Sequence, residues 1–370
     1  MPTLTRREFT KLAALFAGAA AVPILSEHTL AQLSASSSPI PSGAVKIDAN
    51  ENPLGPCKEA LAALTAAAAQ GGRYAYDRTD AFVAALAAAE RIPANSIRPY
   101  PGSSLPLHHA LFAFASPTVP LITASPGYEA PERAAAAVGA PVIRVPLTPG
   151  GHHDLPAMRA AANGKPALFY ICNPNNPTGT VTPREEIETL LNTQTPGSVL
   201  LLDEAYIHFS TEKPCTDLVH SSNKDLIILR TFSKLYGMAG LRAGAAIARP
   251  DLAQKLAHFS SGALPVTAMA AATASLNAPT LVAERRQYTA ALRTDTLAFL
   301  KTRGYATTPS VSNCFMVDVK RPAGQVAAAL RRENVFVGRS WPVWPTHLRI
   351  TVGTREEMEI FKTAFAKVTT

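Results

Sequence analysis

The chain has 370 residues, 47% of them apolar and 17% charged, with a formal net charge of +8. The basic excess is spread along the chain, with no Lys/Arg-rich block and no aromatic–basic interleaving. That excludes a nucleic-acid-binding patch and fits an enzyme open to anionic substrates; the length predicts a large core and two domains.

Residues 1–31 differ from the rest. Thr5-Arg6-Arg7-Glu8-Phe9-Thr10-Lys11 precedes an apolar run over 12–25, and Thr29-Leu30-Ala31 offers a small-residue cleavage site after Ala31. The run is shorter than the roughly 20 apolar residues a membrane span needs. The segment reads as a twin-arginine signal, which predicts handling by the twin-arginine translocation machinery and a periplasmic or exported destination after folding in the cytoplasm. A basic amphipathic helix packed on the body is the other reading. No cysteine follows the run, so no lipid or other stable membrane anchor is expected. Residues 32–44 are Ser/Pro-rich and read as a linker.

Asp48-Ala49-Asn50-Glu51-Asn52-Pro53-Leu54-Gly55-Pro56 follows, then an Ala-rich stretch over 60–69 that predicts a helix. Gly102-Ser103-Ser104 precedes a helical run over 105–115, and amides at a helix start, backed by serine hydroxyls, make a phosphate cradle. Strand-like and helical runs alternate over 121–248, with strands at 142–145, 167–172, 199–203 and 226–229. That rhythm predicts a mostly parallel sheet with crossover helices. Tyr128, after Ser125-Pro126-Gly127, is a core aromatic or one that covers a ring. Asn173-Pro174-Asn175-Asn176-Pro177-Thr178-Gly179 is rich in turn formers, hence an ordinary loop or one that offers the Asn176 amide. Asp203 ends an apolar run abruptly, as a strand does whose carboxyl end reaches a site; a cap or turn acid is the alternative. Beyond about residue 276, a long Ala/Arg-rich helix and strands at 314–319 and 348–352 read as a smaller α+β unit.

Lys234 closes Leu229-Arg230-Thr231-Phe232-Ser233-Lys234, and Arg242 follows eight residues later. Alone, such a lysine is a solvated charge. With Asp203 and Asn176 upstream, it has what pyridoxal phosphate requires: an amine for the aldehyde, hydroxyls at Thr231 and Ser233, and a guanidinium for the phosphate. Asp203 can pair with a protonated pyridine nitrogen, and Tyr206 can donate to the ring's phenolic oxygen.

These motifs, with the opening segment at 48–56 and Leu348-Arg349-Ile350-Thr351-Val352-Gly353-Thr354, resemble the class I/II aminotransferases of fold type I, in their histidinol-phosphate aminotransferase-like branch. The resemblance covers roughly residues 45–365. It implies an α/β fold with a mostly parallel seven-stranded sheet in a large domain at 74–270, a small domain at 271–370, and an N-terminal arm at 45–73 that joins the small domain. It also implies a homodimer with shared active sites. Lys234, Asp203 and Tyr206 are the catalytic candidates. Gly102, Ser103, Ser104, Tyr128, Asn176, Thr231, Ser233, Arg242 and Tyr76 join them around the cofactor, with Tyr74 competing with Tyr76 for the neighbouring subunit's phosphate. Ser104-Leu105 departs from the family's usual residues there, which favours a backbone role. Arg349, Arg339 and Asn52 are the substrate-binding candidates.

The implied reaction moves an amino group from an amino acid or histidinol-phosphate-like amine to a 2-oxo acid, with Lys234 as general base and acid. The alternatives are a decarboxylase or lyase of the same fold, and an exported binding protein without chemistry. Cys57, Cys172, Cys215 and Cys314 are widely spaced, and His108-His109 and His152-His153 are adjacent pairs, so no metal site is expected.

Overall fold

A computed structural model describes residues 40–221, 224–259 and 262–370. The twin-arginine segment and residues 32–39 of the linker lie outside the described residues. Among the described residues eleven strands follow in chain order: β1 (Val45–Ile47), β2 (Ile97–Tyr100), β3 (Leu121–Ser125), β4 (Val142–Pro146), β5 (Leu168–Cys172), β6 (Val199–Asp203), β7 (Leu226–Thr231), β8 (Gly244–Ala248), β9 (Cys314–Asp318), β10 (Val335–Val337) and β11 (His347–Thr351).

Seven of them form one sheet in the order β2-β8-β7-β6-β5-β3-β4. β8 is antiparallel to both its neighbours, while β7, β6, β5, β3 and β4 are mutually parallel. Every residue of β5, β6 and β7 is buried, which is why these strands read as unbroken apolar runs. Alternate side chains enter different cores: Phe169, Ile171, Leu200, Leu202 and Ile228 on one face, Leu168, Tyr170, Leu201, Ile227 and Leu229 on the other. Each such aliphatic or aromatic burial stabilises by about 1.5–3 kcal/mol. The register sets Cys172 beside Asp203 and Asp203 beside Leu229. The loops after β5, β6 and β7, which carry Asn176, Tyr206 and Lys234, therefore leave the sheet side by side.

The smaller unit pairs β1 with β10 in parallel and β9 with β11 antiparallel. Its core joins Phe315, Val317, Leu348 and Ile350 to Phe361 and Phe365 of the last helix, Arg355–Thr369. That helix begins with a capping box between Thr354 and Glu357.

Two segments link the units. Residues 45–73 are divided: β1 joins the small unit, while helix Lys58–Ala68 places Ala60 in the large core with Ala268, Met269 and Ala271 of helix Val266–Leu276. The long helix starts at Leu281, after a break where the chain turns 85°. Pro279 lies in that break, where a ring without an N–H cannot continue the preceding helix. Leu281 at the start of this helix still packs in the large core, while Leu292 and Leu300 enter the core of the smaller unit, so the helix spans both. Among the described residues no single helix is long and apolar enough to cross a membrane.

Candidate active site

A cavity of about 390 Å³ opens over the carboxyl ends of β5, β6 and β7. Ser103, Ser104, Tyr128, Asn176, Asp203, Tyr206, Thr231, Ser233, Lys234 and Arg242 all line it. Residues spread over 140 positions of sequence are gathered because each follows a strand end or a helix start.

Asp203 closes the inner end. Its Oδ2 accepts from the Tyr170 hydroxyl at 3.0 Å and its Oδ1 from the Ala205 amide at 3.1 Å. Burial pushes its carboxyl up to about 6, against the lowering effect of those bonds and of Lys234. A buried carboxylate held this way favours a cation beside it, as a protonated pyridine nitrogen would be. Tyr170 was not legible in sequence, since its hydroxyl is hidden inside an apolar strand.

The phosphate end is built from the loop after β7 and the start of helix Ser104–Phe114. Thr231 Oγ1 donates to Ser233 Oγ at 3.0 Å and accepts the Ser233 amide at 3.1 Å. Arg242 reaches Ser233 Oγ at 3.2 Å, the Ala239 carbonyl at 3.0 Å and the Pro101 carbonyl at 3.2 Å. Gly102 has φ +88°, and a Cβ there would lie 2.9 Å from Arg242 Cζ, so only glycine admits the guanidinium. Ser103 caps the helix without a side-chain cap bond, leaving the terminal amides to the cavity wall. Burial lowers the Arg242 pKa, a cost that an anion would reverse. The cradle and the acid at the far end fit pyridoxal phosphate, charge for charge.

Lys234, only 8% exposed, stands between them. Its Nζ donates to the carbonyls of Ala49 at 3.3 Å and Asn50 at 3.1 Å and lies 5.6 Å from the Tyr206 ring centroid. The N-terminal segment thus forms part of the lysine's setting.

Arg349, fully buried on β11, donates to Asn176 Oδ1 at 2.9 Å and to the Asp48 carbonyl. Its guanidinium lies 5.6 Å from the Trp341 ring centroid, and that of Arg339 lies 4.7 Å from it. Arg339 is ion-paired with Glu129 at 2.6 Å, so the expected second anion contact already holds a carboxylate. Trp341 is pinned by Nε1 to the Gly127 carbonyl at 2.8 Å.

Asn52 does not line the cavity. Its amide donates to the Leu235 carbonyl at 2.8 Å and its Oδ1 accepts the Leu54 amide at 3.1 Å, fastening the segment rather than meeting a ligand. Asn50, two residues earlier, is the one turned inward, with its Nδ2 3.1 Å from the Tyr206 hydroxyl. Tyr74 and Tyr76 are 68% and 69% exposed. They stack on each other at 6.0 Å, and neither lines the cavity of its own chain. His153 is buried with Nε2 3.1 Å from the Cys172 carbonyl, and burial pulls its pKa down to about 4. It is a neutral packing residue behind the site.

Comparison with known proteins agrees with this geometry. A family model described as Aminotransferase class I and II matches residues 42–365. Histidinol-phosphate aminotransferase 1 of Nitrosococcus oceani is 38% identical over 323 residues, 85% of this chain and 86% of that protein. An aromatic amino acid aminotransferase of Rhodococcus jostii is 33% identical over 328 residues, 88% of this chain and 90% of that one. The crystal structure of histidinol-phosphate aminotransferase from Sinorhizobium meliloti, in complex with pyridoxal-5'-phosphate, superposes with a TM-score of 0.82 at 26% identity. It covers 100% of this chain and 99% of that one.

Proposed function

This chain belongs to the class I and II aminotransferases, and on that premise we propose that its amino donor carries an anionic group held by Arg349. It is a pyridoxal-phosphate-dependent aminotransferase of the histidinol-phosphate aminotransferase-like kind. The donor we favour is an α-amino acid, with a histidinol-phosphate-like amine as the narrower form of the same reading, and the acceptor is a 2-oxo acid. One observation carries this: a wholly buried guanidinium is bonded to Asn176, which itself lines the cavity. A planar guanidinium is suited to gripping a carboxylate or phosphate through two donors at once.

When bound, pyridoxal phosphate supplies the electron sink that makes the substrate α-proton acidic. The residues that would hold it are Arg242, Ser233, Thr231 and the helix-start amides for the phosphate, Asp203 for the ring nitrogen, Asn176 and Tyr206 for the ring oxygen, and Tyr128 over a ring face. Lys234 would hold the aldehyde end of the group, and with its amine free Lys234 Nζ would be the base for the substrate α-proton. Asp203 keeps its negative charge within the buried end, and Arg349 fixes the substrate so that its α-carbon faces the lysine. The Ala49 and Asn50 carbonyls give the Nζ a resting position when it is not in use.

The test is a half-reaction screen. Candidate amines are added singly to the loaded enzyme while the cofactor's visible band and the matching oxo product are followed. Anionic amino acids should convert the band and yield their oxo acids. Amino exchange by Lys234→Ala at the wild-type rate would sink the assignment.

Two further elements belong to this proposal. The exposed, stacked Tyr74 and Tyr76 support a homodimer in which one of them reaches the phosphate of the other copy. Light scattering of the loaded protein, with Tyr76→Phe and Tyr74→Phe compared for cofactor affinity, tests it. The Arg6-Arg7 segment and the apolar run behind it support export by the twin-arginine route with cofactor already bound. Fractionation of cells that express Arg6→Lys/Arg7→Lys would then show the protein held in the cytoplasm.

A further inference from the structure

Asn50 contacts Lys234, Tyr206, Asn313, Cys314 and Thr351. It is fully buried and sits at φ 52°, a left-handed conformation that asparagine tolerates better than most residues. Its carbonyl accepts from Lys234 Nζ at 3.1 Å and from Asn313 Nδ2 at 3.2 Å. Its Nδ2 donates to the Tyr206 hydroxyl oxygen at 3.1 Å and to Cys314 Sγ at 3.3 Å. The amide's other end is fixed from β11. Thr351 Oγ1 accepts the Asn50 backbone N–H at 3.0 Å and donates to Asn50 Oδ1, also at 3.0 Å. Cys314 Sγ in turn faces the Pro177 carbonyl at 3.8 Å, an acceptor for its own proton. The Thr351 and Cys314 contacts orient the amide with its NH₂ toward Tyr206.

An amide NH₂ only donates, and a tyrosine hydroxyl has one proton and two lone pairs. The Tyr206 oxygen therefore meets Asn50 with a lone pair, and its proton is directed elsewhere. We propose that Asn50 is a positioning residue: held by Thr351 of the small unit, it fixes Tyr206 as a hydrogen-bond donor toward the cofactor's ring oxygen. The small unit thereby sets the electronic state of a ring bound in the large one. Among the described residues, the charged and titratable groups beside Tyr206 include Lys234 over its ring, Asp203 on the strand before it and Cys314 across the amide, and Glu51, Tyr128, Cys172 and Arg242 share its cavity.

The readout is the pH midpoint at which the loaded enzyme's visible band changes. A bond donated by Tyr206 favours the charged ring oxygen, which keeps that midpoint low. Asn50→Asp keeps the shape and the left-handed backbone but replaces the donor with an acceptor that draws the Tyr206 proton to itself. The midpoint should rise by about one to two pH units, as it should in Tyr206→Phe. In a Tyr206→Phe background, Asn50→Asp should add clearly less than in the wild type, keeping only what its new negative charge near Lys234 contributes. Asn50→Gly keeps the backbone and the carbonyl under Lys234, takes nothing from Tyr206, and should shift the midpoint much less than Asn50→Asp.

Should Asn50→Asp fail to fold, Thr351→Val serves instead. It removes the hydroxyl that orients the amide and should move the midpoint in the same direction by a smaller amount. The proposal is overturned by an unchanged midpoint in a folded Asn50→Asp, by a shift that persists in full without the Tyr206 hydroxyl, or by Asn50→Gly matching Asn50→Asp. If Thr351→Val is the variant available, an unchanged midpoint overturns it as well.

Discussion

Replacing Asp203 by asparagine in the cofactor-free protein isolates what the buried acid costs the fold. Its carboxyl is raised from 3.8 to about 6 by burial. The folded protein thus holds this proton more tightly than the unfolded chain, so the associated stability is complete below the unfolded value and is lost as pH rises through about 6. A shift of about two units corresponds to a penalty of about 3 kcal/mol at pH 8 and roughly half that at pH 5. The substitution removes this penalty. It also weakens an acceptor for Tyr170 or Ala205, at a pH-independent cost of about 1 kcal/mol. The variant should therefore gain on wild type by roughly 1–2 kcal/mol between pH 5 and pH 8. Urea unfolding of both cofactor-free proteins at pH 5, 6.5 and 8 measures the difference, with other titrating groups cancelling between them. Equal differences at all three values would refute the reasoning. With pyridoxal phosphate present the order should reverse, because only wild type offers the ring nitrogen a counter-charge.

Other substitutions probe separate parts of the site and its support. Gly102→Ala forces a Cβ onto Arg242 at a positive φ; it should weaken pyridoxal phosphate by roughly tenfold or more while barely changing affinity for unphosphorylated pyridoxal, as read by equilibrium titration. Arg349→Ala should lower kcat/KM about a hundredfold or more for anionic donors, and an equal loss for donors without an anionic group would count against its role. Arg230 is buried between Glu90 at 2.6 Å and Glu204; it holds the Glu90 carboxyl down at about 2, although burial alone would raise it. Arg230→Met leaves two buried acids without their counter-charge and should cost about 3–5 kcal/mol in denaturant unfolding.

What could be read from the sequence was whatever local pattern fixes. The apolar run 199–203 became β6 with Asp203 at its end, because a strand buried on both faces leaves no room for polarity until it emerges. Lys234 with its hydroxyls and Arg242 lies within one loop, so spacing alone revealed it. The rest depends on contacts between distant segments. Nothing local distinguishes Asn50 from Asn52; the choice is made by a left-handed backbone at one and by Thr351 far along the chain. Tyr170 looked like core, and it is core except for one oxygen on Asp203. Arg339 resembled an anion contact because the Glu129 that occupies it arrives from another unit. The helix break before Leu281 was signalled by Pro279, but Ala-rich flanks on both sides obscured it.

Asn50 and Thr351 are joined by two hydrogen bonds across 301 positions of chain. During synthesis, residue 50 leaves the ribosome 301 positions ahead of residue 351. The segment that supplies two carbonyls to Lys234 must therefore wait for that partner until β11 has been made. The wall over the lysine is finished only when β11 docks, so the site of the large unit is not complete until the small unit has formed around that strand.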